Sequence, residues 1–92
     1  MIVVFNFKIS NSFREWSAFY DNDISTKKDI IASLGITPLF RATNADHPDE
    51  VIICWETPNR EIIEQFMADN EGDIAQSGHI LESTTLSFFN KS

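Results

Sequence analysis

The chain alternates between short apolar runs and longer stretches that have the apolar spacing of a helix. Residues 2–9 are rich in β-branched and aromatic side chains and end at a polar cluster, which predicts a first strand. Ser12 to Glu15 then matches a capping box, and an aromatic face follows at i, i+3, i+4 and i+7. That face comprises Phe13, Trp16, Ser17 and Tyr20. The pattern predicts that helix one begins here.

The segment after this aromatic face predicts an interrupted helix and a second strand. Asp21-Asn22-Asp23 is expected to break or kink the helix, and an apolar stripe then continues to Gly35, the expected C′ residue. Residues 36–43 predict strand two. Pro38 within that strand indicates a sheet edge, because proline lacks a backbone donor. Residues 44–49 predict a hairpin loop.

The second half of the chain repeats this order. Residues 51–55 are apolar without alternation, which is typical of a strand covered on both faces. Thr57-Pro58 predicts an N-cap followed by proline at N1 of helix two. The buried stripe of that helix is predicted from Ile62, Ile63, Phe66 and Met67. A short turn at 72–77 precedes Gly78, and residues 79–89 have the mixed polarity of an edge strand.

The element order is therefore βαβ followed by βαβ, with the hairpin loop dividing the chain into similar halves. This order predicts a single α+β domain, residues 1–92, with a ferredoxin-like βαββαβ arrangement and a four-stranded antiparallel sheet. Strands one and three are the most apolar. We expect them at the centre of the sheet, parallel to each other, with strands two and four outside.

Both faces of strand one are apolar, although the helices of this arrangement cover only one face of the sheet. One face carries Val3, Phe5 and Phe7, and the other carries Ile2 and Val4. A second copy of the chain is the expected cover, since twofold homodimers are the commonest soluble oligomers. The sequence therefore predicts a homodimer.

Charge and composition argue against several classes of partner. The formal charge of −7 and the pI near 4.5 oppose binding to phosphate backbones and to anionic membrane surfaces. No apolar run approaches the ~20 residues of a spanning helix. We therefore expect neither nucleic acid nor a membrane as partner. The N-terminus lacks the pattern of a secretory signal and Cys54 is the single cysteine, so we expect a cytoplasmic location and no disulfide.

Three segments carry a resemblance to known proteins: residues 35–41 (GITPLFR), 66–70 (FMADN) and 77–85 (SGHILESTT). Together with the predicted architecture, the chain resembles the dimeric α/β-barrel superfamily, in which two ferredoxin-like protomers pack sheet to sheet. More narrowly, the segments resemble an uncharacterised family of bacterial and cyanobacterial proteins of similar length. The superfamily includes haem-degrading and cofactor-independent monooxygenases, isomerases, chlorite dismutases and stress-responsive proteins. The resemblance thus implies pairing into a barrel, but no single function.

Haem-degrading members of that superfamily combine an Asn on strand one with a Trp and a haem-ligating His on the second helix. Asn6 matches the first of these, whereas Phe66 stands where the Trp would be and Gln76 lies near the His position. The chain also has a single cysteine and two histidines, His47 and His79, that the predicted fold places far apart. We therefore expect no cofactor, neither haem nor a metal ion.

His79 and Asn6 are the candidate catalytic residues. His79 follows Gly78 at a helix-to-strand junction, where side chains often point into clefts, and histidine can act as a base or a ligand near neutral pH. The alternative is a turn histidine that bonds a nearby carbonyl. Asn6 lies in mid-strand between two phenylalanines, where an amide is costly unless it is paired. It is either a structural hydrogen-bonding group or part of a pocket.

Arg41, Trp55 and Glu56 are the candidate ligand-binding residues. Arg41 interrupts strand two and Glu56 ends strand three, so the two either form a cross-strand ion pair or leave Arg41 free to bind an anion. Trp55 is either a core residue or a surface on which a ligand stacks.

Two functional hypotheses remain, because the chain contains no Gly-rich phosphate loop, no Ser-His-Asp signature and no i, i+4 histidine pair. The first is a small-molecule site of the cofactor-independent monooxygenase or isomerase kind, with Asn6, Arg41 and His79 in an apolar pocket. The second is a non-catalytic binding or stress-response protein with a packed dimer core. An enclosed, part-polar cavity favours the first hypothesis, and a filled interior favours the second.

Overall fold

The computed structural model describes all 92 residues. In chain order its elements are β1 (Ile2–Ile9), α1 (Phe13–Thr26), α2 (Lys28–Ser33), β2 (Thr37–Thr43), β3 (Glu50–Glu56), α3 (Arg60–Asp69), α4 (Glu71–Gln76) and β4 (His79–Phe89). One four-stranded sheet has the strand order β2-β3-β1-β4. The ferredoxin-like α+β arrangement predicted from the sequence is confirmed.

The two central strands, β1 and β3, run antiparallel, with Val3 opposite Trp55 and Phe5 opposite Ile53. The expectation that they are parallel was wrong, and the connections explain why. The helical connection returns the chain so that β2 runs parallel to β1 with a gap between them. The tight hairpin then reverses the chain and places β3 in that gap, antiparallel to both neighbours.

The core lies on the face of the sheet that the helices cover. Successive strand side chains point to opposite faces, so the odd-numbered residues of β1 face the helices and are buried. They pack with the inward residues of β3 and with the helices in one cluster: Val3, Phe5, Phe7, Ile9, Trp16, Ile31, Ile36, Val51, Ile53, Trp55, Ile63 and Phe66. The apolar positions that the sequence marked on the strands and helices account for most of this cluster.

Side-chain capping sets the starts of both long helices. The Ser12 hydroxyl oxygen accepts a hydrogen bond from the Glu15 backbone N–H at 3.1 Å, which confirms the predicted first cap. The predicted second cap was wrong. Asn59 caps α3 by accepting from the backbone N–H of Ile62 at 3.0 Å. The hydroxyl of Thr57 instead donates to the backbone carbonyl of Asn59 at 3.0 Å, so Thr57 does not cap the helix.

The helix interruption lies at Lys27, not at Asp21-Asn22-Asp23, where the sequence pattern predicted it. Backbone bonding continues through that acidic segment, and the Lys27 N–H still donates to the carbonyl of Asp23 at 3.0 Å. An ion pair of 2.8 Å between the same two side chains, one helical turn apart, stabilises the last turn of α1. Lys27 then leaves helical geometry and separates α1 from α2.

The other face of the sheet is not covered by any helix. From β1 it carries Ile2, Val4 and Asn6, which are half-buried, and Lys8, which is exposed. Strand β2 forms one edge, as Pro38 indicated, and β4 forms the other. We refer to this surface as the open face. None of the helices combines the length and the apolar character required to cross a membrane.

Candidate ligand-binding site

A cavity of about 270 Å³ lies between the helices and the sheet. Residues of α1, α3 and α4 line it on the helix side, and residues of β1, β3 and β4 line it on the sheet side. The sheet contributes Phe5, Ile53 and Trp55 to its floor, and the facing walls include Trp16 from α1 and Phe66 from α3. Exposed residues of α1 and α4 also line the cavity, so it reaches the protein surface.

Aromatic contacts fix the orientation of the cavity walls. The Trp16 and Tyr20 rings stack with centroids 5.0 Å apart, and the Trp55 ring stands edge-on to Phe66 at 5.5 Å. The indole N–H of Trp55 donates to the Tyr20 hydroxyl at 2.8 Å and so ties α1 to β3. Burial raises the pKa of Tyr20, which keeps the hydroxyl protonated at neutral pH. Trp55, predicted as a ligand-binding residue, therefore lies in the cavity floor.

His79 also lines the cavity and is only 6% exposed. Its ring stacks face to face on Phe7, with centroids 3.7 Å apart and planes at 4°. Its Nε2 lies 2.5 Å from the hydroxyl oxygen of Thr84, and its side chain has no other hydrogen bond in the chain. Burial lowers the pKa of His79 to about 4, so the imidazole is neutral at physiological pH.

A tight turn at Gly78 precedes His79 at the start of β4. Gly78 adopts a φ of +97°, and a Cβ atom at this position would lie 2.4 Å from the Asn11 side-chain oxygen. Asn11 fills that space and donates from Nδ2 to the carbonyl of Ser77 at 2.9 Å. A register shift between β1 and β4 then brings Thr84 back to the His79 ring. His79 lies opposite Ile9 in this register, and its side chain therefore points toward the helices.

One side of the cavity carries a cluster of three charges. The Lys27 ammonium nitrogen lies 2.8 Å from an Asp23 carboxylate oxygen and 3.0 Å from one of Asp73, and both aspartates line the cavity. This cluster links the end of α1 to α4. Burial would lower the pKa of Lys27, but together the two carboxylates outweigh that effect and raise it. Lys27 therefore remains charged and neutralises part of the acidic wall.

Asn6 is not part of this cavity. As an even-numbered residue of β1 it faces the open side, where it borders a recess of about 180 Å³ together with Asn44 and Glu50. The Asn44 amide donates to Glu50 at 2.7 Å in that recess. His79 lies on the opposite face of the sheet. The two candidate catalytic residues are therefore not brought together within one chain.

Arg41 and Glu56 also lie on opposite faces, so the cross-strand ion pair, one of the two alternatives for these residues, does not form. Arg41 sits opposite Ile53 on the helix side and binds both carboxylate oxygens of Asp21, one of them at 3.0 Å from Nη2. Its guanidinium also lies 5.6 Å from the centre of the Tyr20 ring. Glu56 accepts from the Lys91 ammonium at 2.6 Å, and this bond lowers its pKa. Neither side chain lines the cavity.

Sequence reasoning missed Tyr20 as a polar wall residue and missed the link from Lys27 to Asp73. The i, i+4 spacing of Asp23 and Lys27 signals the ion pair between those two residues. The ion pair between Lys27 and Asp73 depends on how α4 packs, for which the sequence has no local signal. Thr84 likewise reaches His79 only through the register shift in β4.

The haem-type pattern is not assembled in this fold. Phe66 and Gln76 line the cavity, whereas Asn6 faces away from it. The structure brings together no group of three or more His, Cys, Asp or Glu side chains that could hold a metal ion.

Comparison with known proteins gives a family without an assigned activity. No curated protein and no solved structure matches the chain. A family model described as a domain of unknown function (DUF3764) matches residues 1–91, and the chain therefore belongs to that family.

Proposed function

We propose that the protein binds a small, mainly apolar molecule in the cavity between the helices and the sheet. The supporting observation is an unfilled space of about 270 Å³ with aromatic walls and one buried, neutral histidine. An apolar cavity of about 150 Å³ is large enough to bind benzene. Typical ligand pockets begin at about 300 Å³ and combine apolar walls with a few polar groups. The size therefore suits a molecule of one or two rings.

The properties of His79 favour binding over general-base chemistry of the monooxygenase or isomerase kind. A catalytic base is most effective when its pKa lies near the working pH. Burial holds the pKa of His79 at about 4, which makes it a weak base at neutral pH but a good hydrogen-bonding group. The proposed role of His79 is to orient a ligand.

Intrinsic fluorescence offers a direct test, because both tryptophans of the chain, Trp16 and Trp55, line the cavity. A library of one- and two-ring compounds is titrated while the tryptophan emission is followed, and hits are confirmed by calorimetry. We expect hits that bind with a stoichiometry of one molecule per chain. A library without any saturable binder contradicts the proposal.

A pair of variants on α3 localises the binding. Met67 lines the cavity, whereas Ile62 on the same helix is also half-buried but does not line it. Met67→Trp is expected to fill the cavity and weaken calorimetric binding at least about tenfold, while Ile62→Trp leaves it within about twofold. Equal affinity in both variants would place the ligand elsewhere.

We also propose that a second copy of the chain covers the open face, as in the barrel arrangement that the resemblance implies. Phe40 and Phe89, at the two edges of this face, are 57% and 54% exposed, and half-buried Ile2 and Val4 lie between them. An exposed apolar surface of this kind is typical of an interface. Sheet-to-sheet packing of two copies would bury it.

Light scattering after gel filtration tests this arrangement. We expect a mass of about 21 kDa, twice the 10.5 kDa of one chain. Val4→Lys places a charge at the middle of the open face and should give a folded monomer. Ala18→Lys adds the same charge to an exposed position of α1 and should leave the dimer intact. A wild-type monomer at micromolar concentration rules the dimer out.

A further inference from the structure

The cavity walls offer flat aromatic surfaces in two orientations. The Trp16 and Tyr20 rings are stacked with nearly parallel planes, at 19°, whereas Trp55 stands at 71° to Phe5 and at 74° to Phe66. Aromatic pairs favour offset stacking or edge-to-face contact. These walls therefore provide both preferred contacts for a planar ring, whereas a bulky aliphatic molecule would use neither.

His79 offers a hydrogen bond inside this aromatic space. A neutral imidazole has one donor nitrogen and one acceptor nitrogen. Nε2 is engaged by the Thr84 hydroxyl, which leaves Nδ1 without a partner in the chain. The Thr84 hydroxyl can donate or accept, so Nδ1 can take either role toward a ligand hydroxyl or carbonyl. The side chain is more than nine-tenths buried, so water competes weakly for that bond.

The charged groups beside the cavity oppose an anionic ligand. Asp23 and Asp73 line the space, and the single ammonium of Lys27 pairs with both, so one positive and two negative groups leave a net charge of −1. No lysine or arginine side chain lines the cavity itself, and Arg41 is paired with Asp21 outside it. A carboxylate entering the cavity would lose its hydration without gaining a free cationic partner.

We infer that the cavity selects an uncharged, planar aromatic molecule with one hydroxyl or carbonyl group that bonds to His79, and that it rejects the carboxylated counterpart. This inference rests on the proposed function and specifies its ligand class. It assigns the hydrogen-bond selectivity to His79 and the charge selectivity to the Lys27, Asp23 and Asp73 cluster.

Calorimetry with two matched probes at neutral pH tests the inference. 2-Naphthol is neutral and has one hydroxyl group, and 2-naphthoate has the same ring system with a negative charge. We expect 2-naphthol to bind at least about tenfold more tightly than 2-naphthoate. If the compound library yields a saturable binder but 2-naphthol does not bind, the binding function stands and this inference fails; if neither the library nor either probe binds, both fail. If 2-naphthoate binds as tightly as 2-naphthol, the binding function stands and the inference alone is overturned.

Variants separate the two sources of selectivity. His79→Phe keeps a ring against Phe7 but removes the hydrogen bond, and it should weaken 2-naphthol binding about tenfold, whereas His47→Phe in the exposed hairpin should not. Thermal melting of His79→Phe establishes that the variant is folded at the temperature of the titration. Unchanged 2-naphthol binding in folded His79→Phe overturns the role of His79.

Asp73→Asn tests the charge selectivity in the same way. The Asp73 side chain is 59% exposed, so this substitution reduces the negative charge without opening the core. It should strengthen 2-naphthoate binding about threefold and leave 2-naphthol unchanged. Asp69→Asn on α3 makes the same charge change away from the cavity wall and serves as the control. Equal effects of the two substitutions on 2-naphthoate binding overturn the role of the cluster.

Discussion

The two faces of the sheet differ although the same strands build both. On β1 the odd-numbered residues, from Val3 to Ile9, are at most 4% exposed under the helices, whereas the even-numbered residues are half-buried or exposed. The covered face contains the aromatic cavity and His79, and the open face contains Asn6 and the exposed Phe40 and Phe89. The two-residue period of a strand therefore separates two kinds of surface within one element. We propose ligand binding for the covered face and association with a second copy for the open face.

The largest effect should come from removing a ring on the covered face. Phe7 is fully buried and contacts both Trp16 and His79, so Phe7→Ala is expected to lower the free energy of unfolding by about 3–5 kcal/mol. Phe89→Ala removes the same ring from the open face and should change the stability of the isolated chain by less than about 0.5 kcal/mol. Urea denaturation of dilute, monomeric protein measures both. Similar losses in the two variants would contradict the division between the faces.

A pH effect should follow from the buried histidine of the covered face. The pKa of His79 is about 4 in the folded protein and about 6.5 in an unfolded chain, so between these values only the unfolded state binds the proton. The contribution of His79 to stability is therefore complete above about pH 6.5 and is lost as the pH falls towards 4, amounting to roughly 3 kcal/mol.

Urea denaturation from pH 7 to pH 4 measures this effect. In His79→Gln the free energy of unfolding should fall less steeply between pH 7 and pH 4 than in the wild type. In His47→Gln, a change in the exposed hairpin, it should fall as steeply as in the wild type. Because carboxylates also titrate in this range, the difference between each variant and the wild type is the relevant quantity. Parallel curves for His79→Gln and the wild type would show that the histidine is not buried in its neutral form.

The smallest effect concerns the turn that precedes His79. Gly78→Ala places a Cβ atom against Asn11 at a positive φ and is expected to cost about 1–3 kcal/mol. Gly72→Ala within α4 meets no atom within 4 Å and should be neutral or stabilising by up to about 1 kcal/mol. Thermal melting compares the two variants. A Gly78→Ala variant as stable as the Gly72→Ala variant would show that this turn adapts easily.

The sequence predicted the fold well because its signals for the elements are local. Alternation or apolar runs marked the four strands, Ser12 marked the first cap, and Pro38 marked an edge. The errors at the helix ends arose where a local pattern fitted more than one position. Thr57 and Asn59 are both acceptable caps, and the acidic segment at 21–23 resembled a break until its pairing with Lys27 was visible.

The candidate site was less predictable because it depends on which face each side chain occupies. Trp55 and His79 were identified and both line the cavity, and their functional roles stay predictions. Arg41 and Glu56 are neighbours in strand order, but the register places them on opposite faces. A register shift of one residue reverses the facing of a whole strand, and the shift at Pro38 is of that kind.

The sequence by itself determined the α+β fold class, the order of elements and the apolar residues of the core, because these depend on periodicity and on turn chemistry within short segments. The antiparallel direction of β1 and β3, the separation of Asn6 from His79, and the cavity between α1 and α3 were decided only by the tertiary structure. Each of these depends on contacts between residues distant in the chain, and such contacts are fixed by strand register and helix packing rather than by local sequence.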